Sequence, residues 1–419
     1  MTSAESAERT EAAAGFWNLF LLVCLPFGFG YFFVFLLRSI NAVISGRLVA
    51  ELDLDPATLG VMTGILFAAN ALFQIPLGML LDRYGPRRVQ TSLFMIAALG
   101  ALAFAFAPDA LGLTFARALM GIGLAGGLMC SLKIVHITFP RERWPLAAGM
   151  VTAVGGLGAI AATEPVEWIL GLMDWRDLFL FLAAGVALMG LAIFLIVPEP
   201  RGRHGLHSDG LWAQCVGVGR IFASAILWRI APAVVLMQAV GLTFQTLWTA
   251  PWMRAVDSLG QQDIASLLVF IGCGPALGFF VGGWLGQFCA RRGVPQAWAL
   301  LGSGVVNVAA QAVAALGLAP GEAWPWVLLV LSSSSGALAF TTLAGAFPLQ
   351  LSGRVNTALN LLVFTVTFAM QWGFGLLVQV LAADGDTAGA YRSALGLILV
   401  AEFAAWGWFV LSLRRGRLH

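Results

Sequence analysis

The segment LFLFLAAGVALMGLAIFLIV, residues 178–197, contains no charged side chain and no side-chain hydrogen-bonding group. A helix of roughly 20 such residues, at about 1.5 Å each, matches the roughly 30 Å hydrocarbon core of a bilayer. The strands of a closed barrel alternate polar and apolar residues, and this segment does not. It reads as a transmembrane helix. Outward from it, apolar stretches recur between polar or Gly/Pro punctuation near 17–48, 58–80, 89–108, 111–139, 145–171, 178–198, 228–254, 263–289, 296–318, 324–349, 355–383 and 392–413.

The composition agrees with these 12 spans. Of 419 residues, 60% are hydrophobic and 11% charged, with a net charge of +2. Soluble domains carry about a quarter charged residues. That contrast excludes a water-soluble enzyme, a disordered chain and a nucleic-acid binder. The expected fold class is all-α: a polytopic protein of the lipid bilayer with 12 transmembrane helices. The N-terminal stretch carries Glu5, Glu8, Arg9 and Glu11, the wrong charge for a signal peptide, so the first helix is expected to stay. Cys24, Cys130, Cys215, Cys273 and Cys289 stand singly and mostly inside spans, which reads as packing rather than a disulfide framework.

Arginines set the orientation. One set of loops holds Arg83, Arg87, Arg88, Arg141, Arg143, Arg201, Arg203, Arg220, Arg291, Arg292 and Arg354, with Arg414, Arg415 and Arg417 in the tail. The alternate set holds Glu51, Asp53, Asp55, Asp109, Asp174, Asp177, Asp257, Asp263, Glu322, Asp384 and Asp386, diluted only by Arg47, Arg176, Arg254 and Arg392. Both termini are therefore expected in the cytoplasm, in a bacterial-type inner membrane. The longest connection divides the chain into a tail at 1–16, a six-helix bundle at 17–198, a linker at 199–227, a second six-helix bundle at 228–413 and a tail at 414–419. An internal echo supports the two halves: GMLLDRYGPRR at 78–88 has a weak counterpart in GGWLGQFCARR at 282–292.

The first of these segments, with Gly78, Asp82, Arg83, Gly85, Arg87 and Arg88, resembles the loop 2–3 signature GxxxDRxGRR of the major facilitator superfamily. RALMGIG at 117–123 is similar to that superfamily's fourth-helix motif. The resemblance implies two six-helix bundles rocking about a central site. Asp82 and its arginines would latch one conformation and release in the other. The second-half copy has Gln287 in place of the acid.

Ionisable residues inside spans are costly and point to function. Arg38, in FFVFLLRSINAVIS, lies at the depth of Asn70, with Asn41 and Gln74 about a turn away. Its position is similar to the span-1 arginine of the organophosphate–phosphate antiporter branch, which implies anion binding. Arg117 and Glu164 lie at similar distances from the turn PRERW at 140–144, which sets them at one depth, with Glu167 on the face of Glu164. They read either as a proton-coupling pair or as a salt bridge pinning two helices. Lys133, the only lysine among 23 basic residues, and His136 sit one turn apart. They read as a second cationic contact with a titratable neighbour, or as interfacial groups. In the second half Gln245, Asn356, Asn360 and Gln371 offer amides, and Trp248, Trp252 and Trp372 aromatic walls; Glu402, in the peripheral span 12, reads as a packing or lipid-edge acid, with coupling as the alternative.

Span 5 lacks the GPxxGG ending of drug antiporters, and FTVTFAMQWGFG in span 11 only loosely echoes the glycine–asparagine signature of nitrate carriers. Met129, Cys130 and His136 are too weak a set for a metal site. There is no Walker motif, and no cofactor or metal is expected. The expected activity is secondary active transport by a monomer: symport of a small organic or inorganic anion with protons, or antiport against a counter-anion. Export of a drug, metabolite or siderophore is the alternative within transport. A transporter-like sensor that moves nothing is the alternative of another class.

Overall fold

The computed structural model describes residues 17–140, 143–198, 211–336, 338–347, 352–382 and 385–415. The expected tail 1–16, Arg141, Arg201, Arg203, Asp384 and Arg417 lie outside them. Every regular element among the described residues is helical.

Among the described residues, nine helices are long and apolar enough to cross a membrane, and ten when the bent pair Leu146–Ala161 and Glu164–Leu170 counts as one. The other two spans come from how the chain breaks. Pro56–Phe106 runs for 51 residues, about 76 Å of helix and far beyond one bilayer core. Its backbone leaves helical geometry only at Gly85, at φ 77° and ψ 163°, a conformation open to glycine. Gly121 packs on the carbonyl of Leu66 before this break and Gly123 on Ala97 after it, so both parts meet one turn of the next helix and the chain folds back at Gly85. The sequence led us to expect a loop here; the structure joins the two helices through a single residue. The shorter apolar helix Trp324–Phe340 completes the set.

The helices are α1 (Trp17–Leu52), α2 (56–84), α3 (86–105), α4 (Ala110–Thr138), α5 (Leu146–Ala161 with Glu164–Leu170, bent by 43°), α6 (Trp175–Ile196), α7 (Ala225–Ala255), α8 (Gln261–Arg292), α9 (Gln296–Ala315), α10 (Trp324–Phe340), α11 (Gly353–Leu381) and α12 (Thr387–Leu413). The linker forms a helix at Leu211–Phe222, which carries the exposed Cys215, outside any span. Prolines shape the rest. Pro26 and Pro251 withhold the N–H groups that would bond Leu22 and Leu247, and a wider π-helical segment precedes each, at Phe20–Cys24 and Phe244–Trp248.

Lipid offers helices little hydrophobic drive to associate, so close packing of small residues takes over. Within the first half, Gly158 of α5 lies on the carbonyl of Phe32 in α1. Between the halves, Gly60 and Gly64 of α2 lie on Gln371 and Phe368 of α11, Gly375 of α11 on Pro56, and Gly272 of α8 on Ala159 of α5. The buried apolar residues divide in the same sense. One cluster fills the first half and continues through Val240–Ile271 and Phe374–Leu395, near the acidic loops. The second half has a separate cluster near the arginine-rich loops, including Leu227, Leu300, Leu338, Leu359 and Phe409. The halves share a core at the acidic end and have separate cores at the arginine-rich end.

Candidate functional site

A cavity of about 430 Å³ lies between the halves, lined by residues of both. Its first-half wall includes Tyr31, Phe35, Arg38, Gln74 and Thr152; its second-half wall includes Gln238, Gln245, Phe279, Phe340, Asn356, Asn360 and Phe364. Thr152, Phe340 and Asn356 lie in the arginine-rich-end parts of their helices, so the cavity extends from mid-span toward that end. A separate depression of about 820 Å³ at the acidic end is lined by Arg47, Trp248, Arg254, Gln261 and Tyr391. Between the two, Ser39, Ala42 and Gln245 surround a gap of only about 10 Å³.

Among the described lining residues, Arg38 is the cationic group of the cavity. Its guanidinium carbon lies 5.3 Å from the ring centre of Phe364 across the interface, a cation–π contact between the halves. Among the described residues no carboxylate pairs with it. Its Nε, Ser39 Oγ, Gln238 Nε2 and Asn356 Oδ1 are sealed from solvent without a hydrogen-bond partner among the described residues. Buried polar groups normally find partners; these four belong to residues that line the cavity.

The structure brings together some of the expected residues and separates others. Arg38, Gln74, Gln245 and Asn360 share the cavity wall. Asn70 stands behind Gln74, accepting its amide at 2.7 Å. Asn41 instead donates to Thr63 at 2.9 Å, and Gln371 to Thr246 at 2.9 Å, so both hold helices together. Lys133 pairs with Asp82 outside the cavity, and His136 lies against Trp144 with ring centres 4.2 Å apart. The lone lysine therefore serves the loop motif. Since α2 and α4 both belong to the first half, this pair does not bridge the two. Arg83 and Arg87 lie over the rings of Tyr84 and Phe194, also in the first half. Trp248 and Trp252 are buried with Phe374, Trp326 and Tyr391 in an aromatic cluster, and Trp372 is exposed. The cavity's aromatic walls are Tyr31, Phe35, Phe279, Phe340 and Phe364 instead.

Arg117 and Glu164 do not meet. Arg117 is 0% exposed, donates to the carbonyl of Leu37 at 2.9 Å and lies over the rings of Phe104 and Phe179. Glu164 is exposed where α5 restarts with Pro165 at its first turn. The bend in α5 defeats the depth count, which assumed a straight helix.

Glu167 has the partners that Glu164 lacks. Arg47 holds it through two bonds of 2.7 Å, and Gln261 of the second half donates to it at 3.0 Å and to the carbonyl of Val43 at 3.2 Å. Arg254 donates to the same Gln261. This clasp ties α1 and α5 to α7 and α8 at the acidic end. Its signal in the sequence was the set of arginines out of place among acidic loops. Arg47 pairs with Glu167 and Arg176 with Glu51; Arg392 lies in the field of Asp257.

The sequence profile of the Major Facilitator Superfamily matches residues 27–371. A nitrate/nitrite transporter, NrtP of Nostoc punctiforme, is 26% identical over 224 residues, 48% of this chain and 45% of that one. The niacin transporter NiaP of Acinetobacter baylyi is 30% identical over 153 residues, 36% of this chain and 35% of that one. The chain thus spans less than half the length of either relative. Among solved structures, a bacterial homolog of the human lysosomal transporter Spinster, inward-facing and unoccupied, superimposes with a TM-score of 0.73 at 18% identity, covering 93% of this chain and 96% of that one.

Proposed function

Since this chain belongs to the Major Facilitator Superfamily, we propose that it is a secondary active transporter of a small organic monoanion with an apolar body. Transport proceeds by alternating access, driven by a gradient of protons or of a counter-anion. The observation that carries this reading is Arg38, a guanidinium on the cavity wall without a described carboxylate partner. A fixed cation facing open space in low dielectric favours an anion. Among the described residues, the cavity lining holds one such cation, a few amides and five aromatic side chains. One charge matches a monoanion, and about 430 Å³ of mostly apolar space is far more than an inorganic oxyanion fills. Niacin, in the name of one relative, has this chemistry.

By the arginine distribution, the cavity's end of the molecule faces the cytoplasm, and the conformation is open inward. The clasp of Arg47, Glu167, Gln261 and Arg254 then closes the outer end. Anion binding on the first half and the Phe364 and amide contacts of the second would draw the halves together at the cytoplasmic end while the clasp releases.

The test is thermal stabilisation of the purified protein by benzoate, nicotinate, nitrate, a dicarboxylate and a neutral amide. Benzoate or nicotinate at about 100 times its Kd adds about 2.7 kcal/mol of stability. Losing a charge-assisted hydrogen bond, worth about 1.5–3 kcal/mol, weakens binding about 10- to 100-fold in Arg38→Ala. Equal stabilisation of Arg38→Ala and the parent by every anion would sink the assignment.

A further inference from the structure

From the sequence, Glu402 reads as a packing or lipid-edge acid of a peripheral helix, with coupling as the alternative. It is 0% exposed, in α12, against α9. Gln311 Nε2 donates to its Oε2, and Trp406 Nε1 to its Oε1 at 3.4 Å. Gln311 also donates to Asn307 Oδ1 at 2.8 Å. Asn307 donates to Ser332 Oγ at 2.9 Å and Ser333 Oγ at 2.8 Å, and Ser333 lines the central cavity. A continuous chain of hydrogen bonds thus joins the cavity wall to a carboxyl sealed between helices.

Among the described residues, no charged group pairs with Glu402. On its own helix, Arg392 lies toward Asp257 and Gly317, and Tyr391 toward Arg254. On α7, Arg254 holds Gln261, and Arg229 follows Trp228, whose carbonyl bonds Trp408 at 2.9 Å, about 9 Å along α12 from Glu402. On α11, Arg354 lies against Gly217 of the linker helix. α9 carries no ionisable residue. An ionised carboxylate here would be an uncompensated charge in an apolar bundle. A second observation points the same way: Gln311 Oε1 is buried with no donor among the described residues. A protonated carboxyl and an amide can form a paired ring in which each donates to the other, so a proton on Glu402 would supply a donor to this amide. Turning the amide over would set its oxygen against the carboxyl, which again requires that proton.

We propose that Glu402 is a proton-binding site of the second half, linked to the central cavity through Gln311, Asn307 and Ser333, so that its protonation and the filling of the cavity influence one another. A proton taken from water bonds to one carboxylate oxygen and neutralises it. Its loss leaves a charge that draws the Gln311 amide toward itself and shifts Asn307 and the serines of the cavity wall. The link to the cavity rests on the transport reading above; the proton site does not.

The experiment is infrared difference spectroscopy of the full chain in nanodiscs across a pH series, with benzoate affinity measured in parallel. The carbonyl band of a protonated carboxyl should disappear as pH rises. It should be missing from Glu402→Gln, where the amide keeps the side-chain shape, and intact in Arg38→Ala. Benzoate affinity should change at least fivefold across the transition in the parent and stay flat in Glu402→Gln. Gln311→Leu, which keeps the carboxyl but removes its amide, should move the midpoint. A band unaffected by Glu402→Gln, or one that does not titrate, overturns the proton site. A titrating band with pH-independent benzoate affinity overturns the link. Benzoate failing to bind at all, with the band intact, counts against the anion reading alone.

Discussion

Replacing Glu167 by Gln tests the acidic-end clasp. The carboxylate accepts two bonds of 2.7 Å from Arg47 and one of 3.0 Å from Gln261, with side-chain exposures of 32% for Arg47 and 16% for Glu167. Among the described bonds of the clasp, only those of Gln261 cross between the halves, so they are the ones that distinguish a closed outer end from an open one. A hydrogen bond to a charged acceptor is worth about 1.5–3 kcal/mol and a neutral one about 0.5–1.5. The substitution therefore costs the closed state roughly 1–2 kcal/mol, and the population open at the acidic end should rise about 5- to 30-fold. Arg47 loses its partner in both states and contributes little to the difference. The assay is a spin-label distance between Leu172 and Gln262, both exposed at that end on opposite halves, with the exposed Cys215 replaced. Glu164→Gln is the control, three residues away and exposed. An unchanged distance distribution in Glu167→Gln, or an equal change in the control, would refute the reasoning.

Gly60→Ala sets a methyl group against the carbonyl of Gln371 across the two halves, an overpacking cost of about 1–3 kcal/mol that should open the same label pair. Gly158→Ala, which meets the Phe32 carbonyl within the first half, should lower Tm and leave that distance unchanged. Asp55 caps α2 from the loop after α1. Burial works to raise its carboxyl from the ordinary 3.8, but hydrogen bonds from Thr58 and Ala57 outweigh it and hold the group lower. A depressed folded-state value means stability present above the unfolded pKa and lost as pH falls. The Tm gap between parent and Asp55→Ala, equivalent to about 1 kcal/mol near neutrality, should therefore close below about pH 4. Lys133→Met removes a partly exposed pair with Asp82, worth at most about 1 kcal/mol. Benzoate affinity should be unchanged; a tenfold loss would return Lys133 to the binding site.

The helices were legible because apolar length is a local property of the chain. The loop motif was legible because its glycine does a local job: Gly85 alone takes the backbone from α2 into α3. Arg38 could be singled out because a charge among FFVFLL has to be accounted for wherever the helix packs. Arg117 was singled out for the same reason, but its partner was misassigned. Antiparallel counting gives depth, not azimuth, and it fails across the 43° bend before Glu164. Gln245 reaches the cavity in a π-helical segment ahead of Pro251, a change of phase that periodicity does not reveal.

The spans and the short roster of charges inside the bilayer can be read from the sequence, because both follow from the cost of placing polar groups in hydrocarbon, and the family motif can be read beside them. Which of those charges meet was decided only by the tertiary structure. Packing gave Lys133 to Asp82, Glu167 to Arg47 and Gln261, Glu402 to Gln311, and left Arg38 facing a cavity without a described carboxylate. A residue's cost in the membrane is set one position at a time. Its partner depends on the rotation and bending of helices far apart in the chain.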